Sequence, residues 1–180
     1  MRARQRFEEL ALPHLPAVFR MARQLGGPGK ADDLTQETFL KAWTHFGQFD
    51  PATNCRAWLF RILHNSWVSQ WRKTRLEVPV GDIEDVRAEP HYDWEGEFIR
   101  EELSEDIEWA LAELPEAYRW AVLLADVEEL TYQEIAATME CPIGTVMSRL
   151  NRGRRMLAEL LRSRAAPPAA TQETTVKGRS

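Results

Sequence analysis

Between residues 149 and 164 the chain sets six arginines against a single acid. Just before and within this stretch, Val146, Leu150, Gly153 and Leu157 recur at spacings of 4, 3 and 4, the buried stripe of a helix. The opposite face carries Met147, Ser148, Asn151, Arg152 and Arg155. Arg and Asn are the side chains that pair bidentately with guanine and adenine edges in a major groove. Arg149 and Arg154 flank them and suit phosphates, which fix register without reading sequence. Upstream, Ile135 and Ala136 lie on a short helix, followed by a break at residues 140–142. That order is a helix-turn-helix pattern. Counting Ala136 as position five, position nine is Glu140, where such turns usually hold Gly, so the turn must take a conformation that Glu tolerates. A basic outer face alone is also what a merely solvated helix shows.

A second constellation spans residues 56–75. Arg56, Arg61, Arg72, Lys73 and Arg75 interleave with Trp58, Phe60, Trp67 and Trp71. Positive charge follows a nucleic-acid backbone, and aromatic rings offer stacking surfaces to unpaired bases. Trp58 and Trp67 also fit a core, whereas Trp71, set among Gln70, Arg72 and Lys73, is harder to bury. A third group, Asp33, Gln36, Glu37 and Lys41, shares one polar helix face, the ordinary reading of which is solvation.

Enzyme chemistry finds little support. There is no Ser/His/Asp set, and Gly26–Gly29 lacks the Lys-Ser/Thr of a phosphate-binding loop. Cys55 and Cys141 stand 86 residues apart, and His14, His45, His64 and His91 are scattered, so neither a disulfide, a metal site nor any cofactor is expected. No apolar run is long enough to span or insert into a membrane, and MRARQRFEEL lacks the apolar stretch of a signal peptide, so a cytoplasmic location is expected.

The elements that must carry these residues are helical nearly throughout. Helices are expected over about 4–12, 16–25, from a cap at Asp32 or Asp33 to Gly47, and over about 56–75. On the third of these, Leu34, Phe39, Leu40, Ala42 and Trp43 are read as one apolar stripe; residues 47–54 read as a loop. Periodicity fades over about 76–98 and returns in helices at about 99–114, 115–127, 132–139 and 143–164. The net charge of −5 conceals an asymmetry: residues 81–116 hold fourteen acids and two bases, a local −12, which leaves +7 on the remainder. Basic ends around an acidic centre suit a chain that meets a polyanion at two places. The expected architecture is all-α: two small helical domains, 1–76 and 99–164, an acidic linker at 77–98, and a disordered tail at 165–180.

Taken together, DDLTQETFLKAW, FDPATNCRAWLFRILHNSWVSQWRK and ALAELPEAYRWAVLLADVEELTYQEIAATMECPIGTVMSRLNRGRRML resemble the sigma-70 family, in its small extracytoplasmic function (ECF) group. The first two look like sigma region 2 and the third like region 4. The resemblance implies a factor that joins core RNA polymerase, at the clamp coiled coil and the flap, and directs promoter recognition, −10 melting and initiation. It implies that Asp33, Gln36 and Glu37 dock on the clamp. The loop around Phe49 and the neighbourhood of Asn65 would take a base flipped from the −10 element, at a stacking cost of a few kcal/mol. Arg56, Arg61, Trp67, Trp71, Arg72 and Lys73 would hold the opened strand or nearby backbone. Met147, Ser148, Arg149, Asn151, Arg152, Arg154 and Arg155 would serve the −35 element, although such helices often carry a basic residue where Met147 stands. The acidic linker would thread the basic RNA exit region. An anti-sigma partner is implied, and PIGTVMSRLNRGRR is similar to the subgroup governed by redox-sensitive zinc anti-sigma proteins. The rival reading is a stand-alone helix-turn-helix regulator, which leaves the tryptophan-rich basic helix unexplained.

Overall fold

The computed structural model describes residues 2–77 and 103–165, and every regular element among them is helical, as expected. In the N-terminal half, α1 (Arg2–Ala11) leads through a 3-10 turn to α2 (Leu15–Gly26), α3 (Pro28–His45) and, after a second 3-10 turn and a loop, α4 (Cys55–Glu77). In the C-terminal half, α5 (Glu105–Ala112) precedes α6 (Glu116–Val122), which continues through a π-helical turn at Leu123–Val127. Then come α7 (Tyr132–Thr138) and α8 (Ile143–Ala165). The expected linker, apart from its first residue, and the expected tail, apart from Ala165, lie outside the described residues.

The start of α3 differs from the expectation at Asp32 or Asp33. Gly27 takes φ 71° and Pro28 opens the helix, so both aspartates lie inside it. Proline is preorganised for a first turn and has no N–H to lose there, so the breaker cluster serves as the helix start. The apolar stripe read on this helix also divides. The buried positions are Ala31, Leu34, Thr35, Thr38 and Ala42, whereas Leu40 is 67% and Trp43 44% exposed. The threonines enter the core because their hydroxyls donate to the carbonyls of Ala31 and Leu34, each at 2.7 Å.

Asn54 caps the start of α4: its Oδ1 accepts from the backbone N–H groups of Arg56 and Ala57 at 3.0 and 3.3 Å. It buries Leu59, Phe60, Leu63 and Ser66 against α2 and α3. Phe60, read from sequence among the stacking aromatics, is fully buried and belongs to the core. In the C-terminal half α8 packs on α6, with Val146, Leu150 and Gly153 facing inward. A Cβ at Gly153 would lie 2.9 Å from Val122 Cγ2 and 3.3 Å from the Tyr118 carbonyl, so only glycine lets the two helices approach this closely.

The two halves are packed together. Their buried residues form one continuous cluster, and α7 lies along α4. The seam is strongly polarised. Arg20 pairs with Glu128 at 2.9 Å, Arg23 with Glu108 at 2.8 Å, and Arg61 with Glu140 at 3.3 Å.

Candidate nucleic-acid interface

The helix-turn-helix is built from local rules. Thr131 and Glu134 form a reciprocal capping box that starts α7. The turn then reverses at Glu140, whose φ of 49° is the left-handed conformation that favours glycine, so the turn keeps the usual geometry and Glu140 bears its strain, contrary to the expectation of a conformation easy for Glu. Burial of Ile135, Val146 and Leu150 fixes α8 against α6 and α7. This rotation leaves Met147, Ser148, Asn151, Arg152 and Arg155 exposed in one row. Met147 is 53% exposed, and the Ser148 hydroxyl donates to the Thr145 carbonyl at 2.9 Å.

The flanking arginines are held differently. Arg154 is committed to Asp126 through two hydrogen bonds, 3.0 and 2.5 Å, which raises its pKa further above the usual guanidinium value. Arg149 is half-buried, with a guanidinium nitrogen 3.6 Å from Cys141 Sγ. Arg155 has only a loose pairing with Glu159 at 4.0 Å, which leaves it more available to a phosphate than Arg154.

The second surface lies where α3 meets α4. A groove of about 440 Å³ is lined by Lys41, His45 and Gln48 on one side and by Trp58, Arg61 and Asn65 on the other, with Ser66 and Ser69 along its length. Lys41 Nζ donates to Ser66 Oγ at 3.0 Å and to Glu37 at 2.5 Å, which fixes one wall. The combination of an indole face, amide and hydroxyl groups and two cations suits an unstacked base with its phosphate. His45 and Gln48 were missed from sequence. The signal was the i, i+4 relation of His45 to Lys41 on a face of α3 outside the apolar stripe.

Two residues expected at this site sit elsewhere. The Phe49 ring is buried, stacked on Phe46 at 5.9 Å and tilted on Trp58 at 4.9 Å, so it supports the groove wall instead of facing a base. Trp67 is half-buried and packs by Gly26, whose Cβ would lie 3.2 Å from its ring, so it serves the α2–α4 contact. In both cases aromatic burial wins over exposure, because each ring has a facing apolar partner. The side chains of Trp71, Arg72 and Lys73 lie outside the described residues. Asp33 and Gln36 are exposed on α3, and Glu37 is half-buried, bonded to Lys41 and to Gln70 at 2.6 Å. Arg56 and Arg61, expected on DNA, face carboxylates of the C-terminal half.

Among the described residues no group of His, Cys, Asp and Glu is arranged to hold a metal ion, and no helix is long and apolar enough to cross a membrane.

Comparison with known proteins agrees with this geometry. The family description Sigma-70 region 2 matches residues 10–77, and Sigma-70, region 4 matches residues 104–157. ECF RNA polymerase sigma factor SigE of Mycolicibacterium smegmatis is 36% identical over 91% of this chain, which spans 64% of that protein's length. ECF RNA polymerase sigma factor EcfG of Rhodopseudomonas palustris is 36% identical over 83% of this chain and 82% of its own length. Among solved structures, the sigma factor RpoE of Bartonella quintana, in complex with the anti-sigma factor NepR, superposes with a TM-score of 0.74. It is 35% identical, over 88% of this chain and 98% of that one. The chain therefore belongs to the sigma-70 family, a family of regulatory proteins, within its extracytoplasmic function group.

Proposed function

We infer that this chain joins core RNA polymerase in the cytoplasm and directs it to promoters, acting as a specificity subunit with no catalytic chemistry of its own. The observation that carries this reading is the pairing of two unlike basic surfaces on one chain of this family. One is the open row on α8, suited to paired bases; the other is the aromatic groove between α3 and α4, suited to an unpaired one. Asn151 and Arg152 read −35 base edges, with Met147 and Ser148 in apolar and hydroxyl contact and Arg149 and Arg155 toward phosphate. Arg61 and Asn65, with Trp58 at the wall, receive a base from the −10 element. Arg56, Trp71, Arg72 and Lys73 continue that path along the opened strand. The face bearing Asp33, Gln36 and Glu37 docks on the clamp coiled coil, and the C-terminal domain meets the flap.

An anti-sigma protein belongs to this reading as well, since the Bartonella relative was solved with one. A stand-alone regulator leaves the α3–α4 groove without a use. Transcription in vitro with core polymerase on a promoter library tests the proposal. Initiation that depends on the added chain is expected, with permanganate reactivity at −10 thymines that Trp71→Ala removes. A chain that binds its duplex equally well without polymerase, and supports no initiation, would return the rival reading.

A further inference from the structure

The first two turns of α8 carry a side-chain set unlike the rest of that helix. Residues 141–148 hold no charged side chain, and the first cation of the helix, Arg149, comes only after them. Ile143 and Met147 lie four residues apart, neighbours on one face, and are 42% and 53% exposed. Gly144 stands beside them, where a Cβ would meet nothing within 4 Å. Its backbone is not left-handed either, so neither packing nor geometry requires the glycine, although glycine in a helix is less stable than alanine. A bare helix edge of this kind suits close approach by a surface from outside the chain. The exposed arginines that follow on the same helix, Arg152 and Arg155, fit that surface to a polyanion.

Ser148 narrows what this edge can recognise. Its hydroxyl proton is committed to the Thr145 carbonyl at 2.9 Å, so toward a base it offers only acceptor lone pairs. In the major groove an acceptor meets the amino group of adenine or of cytosine and does not tell the two apart. Guanine presents the acceptors N7 and O6, and Ile143, Gly144 and Met147 have no side-chain donor for them. Covering those acceptors with apolar atoms leaves them unpaired, which is costly. What an apolar side chain does distinguish is the C5-methyl group, which thymine alone carries among the four bases.

We infer that Met147 reads a thymine methyl group, with Ile143 as its apolar flank, so that this chain selects an A·T pair where the −35 element faces the N-terminal end of α8. The inference rests on the reading of α8 given above and adds a base identity to it. Ser148 accepts from an amino group beside the methyl, while Asn151 and Arg152 read further along the groove. Because the discriminating contact is the burial of an uncharged group, its contribution does not depend on salt, unlike that of the arginines.

The test uses the full chain bound to core polymerase and a promoter recovered by transcription from a library randomised across the −35 region. Each −35 thymine is replaced in turn by deoxyuridine, which lacks only the methyl group, and competition between duplexes reads the affinity. Replacement at one position is expected to weaken binding about fourfold, the value of one buried methyl group, by the same factor at low and at high salt. Met147→Ala should bind the two duplexes alike, whereas Asn151→Ala should keep the fourfold difference. At the same position 5-methylcytosine should bind wild type about fourfold better than cytosine, and Met147→Ala no better. Met147→Arg should move the preferred base there to guanine. A methyl dependence that survives Met147→Ala assigns the contact to another residue and overturns the inference. So does a −35 element without A·T pairs, or a wild-type chain indifferent to every methyl group while it still initiates; in both cases the promoter reading stands. Loss of core-polymerase association in Met147→Ala would make the apolar edge a protein contact and overturns it as well. A chain that supports no initiation removes this inference and the promoter reading together.

Discussion

Arg154 on α8 grips Asp126 of the π-helical turn with two parallel hydrogen bonds, 3.0 Å from Nε and 2.5 Å from Nη2. Both side chains are more than a third exposed, so this clamp contributes about 0.2–1 kcal/mol to stability. Its larger consequence is electrostatic: one of the six α8 arginines is neutralised where it stands.

Salt dependence of duplex binding should therefore sort the arginines. Arg155→Ala should reduce the slope of log affinity against log salt by about one, the value of one lost phosphate contact. Arg154→Ala should leave the slope nearly unchanged, and Asp126→Asn should steepen it by freeing a charge. Equal losses for Arg154→Ala and Arg155→Ala would show that the clamp does not withhold Arg154 from DNA.

Readout of base edges is a separate matter. Asn151→Ala and Arg152→Ala should each cost about 1–3 kcal/mol of discrimination at a −35 position. Opening of the −10 region should persist on a promoter brought to equal occupancy, as read by permanganate. An opening defect at equal occupancy would contradict the division of labour between α8 and the α3–α4 groove.

What the sequence disclosed about this molecule follows physical type. The buried stripe of α8 was legible because Val146, Leu150 and Gly153 repeat at helical spacing and a single helix face decides their fate. The exposed row opposite followed from it. Leu40 and Trp43 were misread because apolar residues on α3 outnumber its buried positions, and Thr35 and Thr38 took places in the core by bonding back to the preceding turn. Phe49 and Trp67 were read by aromatic type, but their rings found apolar neighbours from elements distant in sequence. The seam was invisible for the same reason. Glu128 and Glu140 look like ordinary surface acids until the fold brings Arg20, Arg56 and Arg61 against them.

The contact at Gly153 predicts a specific instability. Gly153→Ala gains about 0.5–1 kcal/mol of helix preference. Overpacking against Val122 and the Tyr118 carbonyl should cost about 1–3 kcal/mol, so a net loss is expected. Thermal melting should fall by several degrees, and Val122→Ala in the same chain should restore part of the loss. A Gly153→Ala chain that melts higher than wild type would show that α6 and α8 can move apart at no cost.

Closure of the two halves should also respond to acid, through His64. Its ring meets Trp120 edge-on, centroids 4.9 Å apart, and burial holds its pKa below the ordinary 6.5. The charged groups that act on it are Glu116 and Glu140, which favour the proton, and Arg149, which opposes it; the neighbouring Asn65 also favours the proton. Above the ordinary value the ring is neutral in both the closed and the parted chain, so closure is unaffected. As pH falls through that value the parted form takes up the proton first, and closure is progressively lost until the closed-state pKa is passed. Glu140 acts in the same sense at lower pH, because its bonds from Asn65 and Arg61 hold its pKa down and weaken as it protonates. His14, held down by burial and by Arg56, adds a parallel contribution, so the diagnostic quantity is the difference between wild type and His64→Phe, which keeps a ring against Trp120. Between about pH 7.5 and pH 5.5, a window centred on the ordinary histidine range, scattering should report expansion of the wild-type chain and a flatter profile for His64→Phe. Superimposable profiles would remove His64 from the seam's response and leave it to His14 and, at lower pH, to Glu140.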